Sequence, residues 1–174
     1  ALQLFGLPDS IQATLACQRD DASIDDWAQV ILLYGQMRVS LHCSMLAAWP
    51  GARFAVHGTG GTLLKRAADQ QETQLRTGMV PGADGWGADP DDMLVFDGTD
   101  TPRAVPSPPG DQRIYYALFR DAVMGYRANP VPPIQAIAVM AVLETAARSA
   151  RDGKRLSLPL NEEEKVLWAQ AWER

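Results

Sequence analysis

Two histidines, His42 and His57, are the side chains of this chain best suited to moving a proton near neutral pH. General-base work would want a carboxylate to orient the imidazole, and the local spacing supplies none. A lone histidine on a strand is first of all a hydrogen-bonded structural residue. His57 has the stronger claim to chemistry because it heads a glycine turn, Gly58-Thr59-Gly60-Gly61-Thr62. Just beyond it stand Lys65, Gln71 and Glu72. Together they offer donors and acceptors of the kind a hydroxyl-rich ligand requires. They are equally the residues of a solvated edge strand followed by the polar first turn of a helix. Trp86-Gly87 supplies an aromatic in a flexible stretch, either as a lid or rim over a ligand or as a loop anchor that buries one large ring.

Other constellations are weaker. The glycine stretch is neither G-x-G-x-x-G nor G-x-x-x-x-G-K-[ST], and an aliphatic segment rather than a helix start follows it, so it reads as a tight strand-to-strand turn. Asp89, Asp91 and Asp92 lack the twelve-residue loop and closing bidentate glutamate of a calcium site, and read as a solvated acidic loop. Tyr115-Tyr116 has no lysine or serine at the spacing of a short-chain dehydrogenase. Cys17 and Cys43, the two cysteines, have no metal-ligand spacing; they read as buried thiols in a reducing cytoplasm, with a disulfide across neighbouring strands as the alternative. No metal site is expected.

The elements that must carry these residues follow from pattern. The 174 residues, 47% hydrophobic and 21% charged, are one ordinary globular domain by length, spanning 1–174. Sixteen Lys and Arg against 21 Asp and Glu leave −5, which argues against nucleic acid or an anionic membrane surface as partner. No apolar run reaches the roughly 20 residues that span a bilayer, and no signal peptide is visible. From Ile11 to Lys65 the signal is strand after strand, with Trp49-Pro50-Gly51 as a break. Ile11, Ala13, Leu15 and Cys17 alternate with polar residues. Trp27–Tyr34 is nearly all apolar, as in a strand covered on both faces. Tyr34-Gly35-Gln36-Met37 suits a type II′ hairpin. Val39, Leu41, Cys43 and Met45 alternate with Arg38, Ser40, His42 and Ser44, and Phe54 and Val56 are expected to point inward.

Helices dominate the second half. Asp69–Thr77 is a short one, and Met93–Phe96 and Arg103–Val105 are two short outer strands. Tyr115, Leu118, Phe119, Ala122, Val123 and Tyr126 form one helical stripe. Pro132-Pro133 opens a second helix that Gly153 closes, and Asn161 with Glu162, Glu163 and Glu164 starts a third. Strands first and helices afterwards predict an α+β fold: two layers, a mainly antiparallel open sheet with helices packed on one face. The other face, with Arg38 and His42, is too polar for a dry core and is expected to be solvated or partly covered by another subunit or domain.

The order Arg53-Phe54-Ala55-Val56-His57-Gly58, Leu63-Leu64-Lys65, Gln71-Glu72-Thr73-Gln74-Leu75 and Trp86-Gly87, followed by Pro109-Gly110, Tyr115-Tyr116, Pro132 and Ser149-Ala150-Arg151-Asp152-Gly153, resembles the C-terminal domain of the glucose-fructose oxidoreductase / inositol dehydrogenase / MocA (Gfo/Idh/MocA) family. The resemblance implies the substrate-binding and dimerisation domain of a dehydrogenase that takes NAD or NADP and a sugar or inositol-like polyol, and that is inactive alone. Its cofactor would sit on an N-terminal Rossmann domain absent here, so this stretch would bind none. The chain opens on Leu2-Gln3-Leu4-Phe5-Gly6, like the last turn of a helix, and reads as starting inside a longer protein. The family's Glu-Lys-Pro segment has no counterpart, and His42 and His57 are preceded four residues earlier by Arg38 and Arg53 rather than by aspartate. No catalytic residue carries over. What the resemblance leaves is His57, Lys65, Gln71, Glu72 and Trp86 as substrate-facing candidates, and Arg38 and His42 on a homodimer face. Two other readings stand beside it: an interaction module, and a stand-alone small-molecule binding protein.

Overall fold

The computed structural model describes residues 1–49 and 51–172. Pro50, part of the expected break after the third strand, lies outside them. The chain is organised as two compact units, Ala1–Ala48 with Val131–Arg174, and Trp49–Pro130.

The first unit is an antiparallel meander under helices. Strands β1 (Ser10–Ala16), β2 (Trp27–Tyr34) and β3 (Met37–Ser44) pair in chain order, with Ile11 opposite Leu32 and Leu33 opposite Arg38. The β2–β3 connection needs a left-handed first loop residue, and Gly35 supplies it at φ 51° while its N–H donates to Asp9 Oδ2 at 2.6 Å. A short helix, α1 (Leu2–Phe5), precedes the sheet.

Ile11, Ala13 and Leu32 meet Val142 and Ala146 of the long helix over Pro133–Asp152, here numbered with the other helices as α4. Alanines at 138, 141 and 146 allow close approach, and each fully buried Ile or Leu stabilises the unit by about 1.5–3 kcal/mol. The helix begins on proline and ends on Gly153 in the left-handed conformation, as its sequence predicts. Ser149, fully buried, joins the two layers. Its Oγ accepts the N–H of Ala13 at 3.0 Å and its hydroxyl donates to the Lys154 carbonyl at 2.6 Å. The last helix, α5 (Glu162–Trp172), starts on a reciprocal cap between Asn161 and Glu164, at 2.8 and 2.9 Å. It packs Trp168 against Ile134, Ala138 and Ala141.

The second unit holds a four-stranded antiparallel sheet, β4 (Phe54–Gly58), β5 (Gly61–Lys65), β6 (Met93–Phe96) and β7 (Arg103–Val105), again in chain order. Helix α2 (Gln71–Arg76) follows β5, and α3 (Arg113–Val123) follows β7.

The α+β class stands, with five helices and antiparallel sheets among the described residues. The described strands, however, form two sheets rather than one. Several burial expectations also fail. Cys17, just after β1, and Cys43, in β3, are free and exposed, and β2 lies between those two strands, which excludes the cross-strand disulfide. Phe54 and Val56 lie on an edge strand exposed along its whole length. Helix α3 buries none of its apolar stripe. Alternation separates two faces of a strand, but says nothing about whether either is covered.

Candidate functional site

The substrate-facing candidates all fall in the second unit, and the structure sorts them by what they touch. Gly58 pairs with Gly61, so the glycine stretch closes the β4–β5 hairpin. The positive φ belongs to Gly61, where a Cβ would stand 2.2 Å from the Phe96 carbonyl oxygen. His57 is paired across this hairpin with Thr62, its Nδ1 2.9 Å from the threonine Oγ1, and its ring is exposed. Glu72 is exposed too, in a loose 3.9 Å pair with Arg76 one turn on.

Lys65 is different. It is buried, and its ammonium lies 2.8 Å from Asp89 Oδ2 and 3.2 Å from Asp91 Oδ2 and donates to the Asp91 main-chain oxygen. Those three acceptors use the three ammonium hydrogens. Asp91 also accepts the N–H groups of Arg66 and Ala67, at 3.0 and 2.7 Å, and the Arg66 guanidinium at 2.8 Å. Its carboxyl is held down at about 2, first by the Ala67 N–H, against the cost of burial, and then by Lys65 and Arg66. Asp89 is lowered chiefly by the bond from Lys65. Burial works against the charge on Lys65, but the two carboxylates outweigh it and its pKa is raised. The expected solvated acidic loop is therefore a closed ion cluster at Asp89 and Asp91.

Gln71 is 2% exposed and equally committed. Its Oε1 accepts the Gln112 N–H at 2.7 Å, and its Nε2 donates to the Asp69 carboxylate at 3.0 and 3.1 Å. Trp86 is 9% exposed, its ring buried as a loop anchor's would be. Its Nε1 has no hydrogen-bond partner of good geometry, although its nearness contributes slightly to lowering the Asp111 carboxyl, which Arg113 chiefly holds at about 2. Gly87 follows with φ 70°, and a Cβ there would lie 1.8 Å from the Gly110 oxygen.

Sequence reasoning passed over Gln74, whose side chain donates to the Gly85 carbonyl at 3.0 Å and accepts the Gly87 N–H at 2.8 Å. The available signal was its place three residues after Gln71, on the same face of a helix.

In the first unit, Arg38 and His42 share the sheet face with Gln12, Thr14, Gln29, Ser40 and Trp27. Thr14, Gln29 and His42 form one row, the Trp27 and His42 rings meet edge-on at 5.8 Å, and the Gln29 amide donates to Ser40 Oγ at 2.5 Å.

Two hollows are lined by other residues. One of about 600 Å³ is lined by Gln18–Ala22 and Leu46, and one of about 400 Å³ runs between α4 and α5. Among the described residues no group of three His, Cys, Asp or Glu could hold a metal ion, and no helix is long and apolar enough to cross a membrane. A dinucleotide cradle needs amides converging at a helix N-terminus after a parallel strand. The strand pairings here are antiparallel and the glycines close a hairpin, so these residues do not fit that group.

Residues 1–158 match the family model described as the oxidoreductase family, C-terminal alpha/beta domain. The chain belongs to the Gfo/Idh/MocA oxidoreductase family as its C-terminal domain. Across 91% of its length it is 40% identical to the uncharacterised oxidoreductase YdgJ of Escherichia coli (strain K12), of which it covers 46%. It is 29% identical to the scyllo-inositol 2-dehydrogenase (NADP(+)) IolW of Bacillus subtilis (strain 168), over 90% of this chain and 45% of that one. A Klebsiella pneumoniae crystal structure assigned as an oxidoreductase superposes with a TM-score of 0.93 at 50% identity, covering 98% of this chain and 50% of that one. The chain thus spans about half the length of the curated relatives it matches. The Gfo/Idh/MocA assignment accounts for the α+β fold.

Proposed function

We propose that this chain is the substrate-side and subunit-pairing half of an NAD(P)-dependent oxidoreductase that acts on a sugar or an inositol-like polyol. The observation that carries the reading is the likeness to IolW over nearly the whole chain. In such a protein the dinucleotide would lie on an N-terminal Rossmann half, which would be this chain's closest partner. Hydride transfer would occur where the two halves meet, with this half contributing shape and hydrogen bonds around the hydroxyls.

Within the candidate set, His57 and Glu72 are exposed and free to meet a ligand. Lys65, Gln71 and Trp86 hold the framework behind them. The polar face bearing Arg38 and His42 is the surface we assign to a homodimer. A semi-polar, flat sheet face suits self-complementary pairing about a two-fold axis. The setting we assign is the cytoplasm, where the exposed thiols of Cys17 and Cys43 stay reduced.

The test is turnover by the natural full-length protein, followed as NADPH or NADH formation with scyllo-inositol, myo-inositol and a panel of aldoses. Saturable oxidation of one of these supports the reading. Failure with all of them, by a folded protein that binds NADPH, would overturn the substrate class.

A further inference from the structure

Helix α2 has six residues and carries two glutamines one turn apart whose side chains act on different loops. Gln74 grips the chain on both sides of Trp86: its Nε2 donates to the carbonyl of the preceding residue, Gly85, and its Oε1 accepts the N–H of the following residue, Gly87. One amide thus fixes the two peptide groups that flank Trp86, and with them the direction in which its side chain leaves the backbone. Gln71 holds the start of α3 by one bond, accepting the Gln112 N–H, while its own amide nitrogen donates to the Asp69 carboxylate.

The two gripped loops are also joined to each other. The Gly110 N–H donates to the Gly87 carbonyl at 3.1 Å. That approach depends on both residues lacking a side chain. A Cβ at Gly87 would strike the Gly110 oxygen, and one at Gly110 would come within 2.6 Å of Asp69 Oδ2 and 2.7 Å of Gln71 Nε2. Trp86, its side chain buried, stands between Gly85 and Gly87, the two residues that Gln74 holds.

We propose that Gln74 is a positioning residue for the substrate-side site, acting through the Trp86 loop, with Gln71 as its counterpart on the loop before α3. This rests on the polyol-oxidoreductase reading above. Gln74 touches no substrate in this account. It holds the frame behind the exposed candidates His57 and Glu72, so its loss falls on substrate recognition rather than on the hydride step.

The experiment uses the natural full-length protein with Gln74→Leu, which removes both bonds, and Gln74→Glu, which keeps the acceptor for the Gly87 N–H. Hydrogen exchange over residues 84–90 and steady-state kinetics with the polyol turned over by the wild type are both read. The expected result for Gln74→Leu is exchange at least tenfold faster in that segment, KM raised about tenfold, kcat within twofold and cofactor KM unchanged, with Gln74→Glu intermediate. Unchanged exchange, or an equal loss in kcat and kcat/KM, would overturn the proposal. Should Gln74→Leu fold poorly, Gln74→Glu still decides it by the same two readings. If the wild type turned over no polyol, the substrate reading would fall and this proposal with it, and normal exchange behaviour would show that failure to be one of function rather than of the grip.

Discussion

Lys65 and Asp91 meet twice, the ammonium reaching both the carboxylate of Asp91, at 3.2 Å, and its main-chain oxygen. The lysine closes β5 and the aspartate lies 26 residues on, just before β6, so the pair ties the intervening loop to the sheet.

Removing either partner should therefore loosen the second unit. Lys65→Met leaves Asp89 and Asp91 facing each other with Arg66 as remaining counter-charge. A fall in Tm of roughly 5–10 °C is expected for loss of one partner from a buried cluster. Thermal unfolding at pH 7 measures it.

The same cluster sets an acid limit. The Asp91 pKa is about 2 in the folded chain, against about 3.9 in an unfolded one. A depressed carboxyl stabilises the fold above its unfolded value, and that contribution is lost as pH falls from about 4 through about 2. Asp89 and Asp111 are lowered too and act in the same direction. Tm should drop steeply over that window. Asp91→Asn should be less stable at pH 7 and show a flatter decline below pH 4.

Exposed and buried candidates should separate in kinetics. In the full-length protein His57→Ala is expected to lower kcat/KM for the polyol while leaving Tm within a degree or two. A lost hydrogen bond of about 1–3 kcal/mol corresponds to roughly five- to a hundred-fold. Lys65→Ala, Gln71→Ala and Trp86→Ala should lower Tm first. Wild-type kinetics for His57→Ala would remove it from the site.

Glycine substitutions provide an internal contrast. Gly35 and Gly87 both have positive φ, at 51° and 70°, yet nothing lies within 4 Å of a Cβ at Gly35. Gly35→Ala should cost about 1 kcal/mol for the left-handed backbone alone. Gly87→Ala adds the collision with the Gly110 carbonyl, and its loss in Tm should be several times larger by differential scanning calorimetry.

The sheet-face assignment is tested by charge. Arg38→Glu together with His42→Glu should shift the protein toward monomer in sedimentation equilibrium at tens of micromolar, since like charges would face each other across a two-fold axis. A wild type that is already monomeric would end that assignment.

What the sequence determined by itself was local. Proline at the start and Gly153 at the end bound α4, Asn161 and Glu164 cap α5, and Gly35 turns β2 into β3, because each feature acts through backbone conformation within a few residues. Family membership was legible for a related reason: the order of turn, aromatic and helix-end residues survives in one dimension. Coverage was not legible. Phe54, Val56, Cys17 and Cys43 alternate like core residues and are exposed, because a strand's pattern cannot report whether a second layer lies over it. Nor could spacing reveal that Lys65 would find Asp89 and Asp91, or Gln71 the Gln112 amide 41 residues away. Those partners meet only after the loops close on the sheet. Once buried there, a polar side chain must satisfy its bonds inside the protein, and Lys65 does so with Asp89 and Asp91, Gln71 with Asp69 and Gln112.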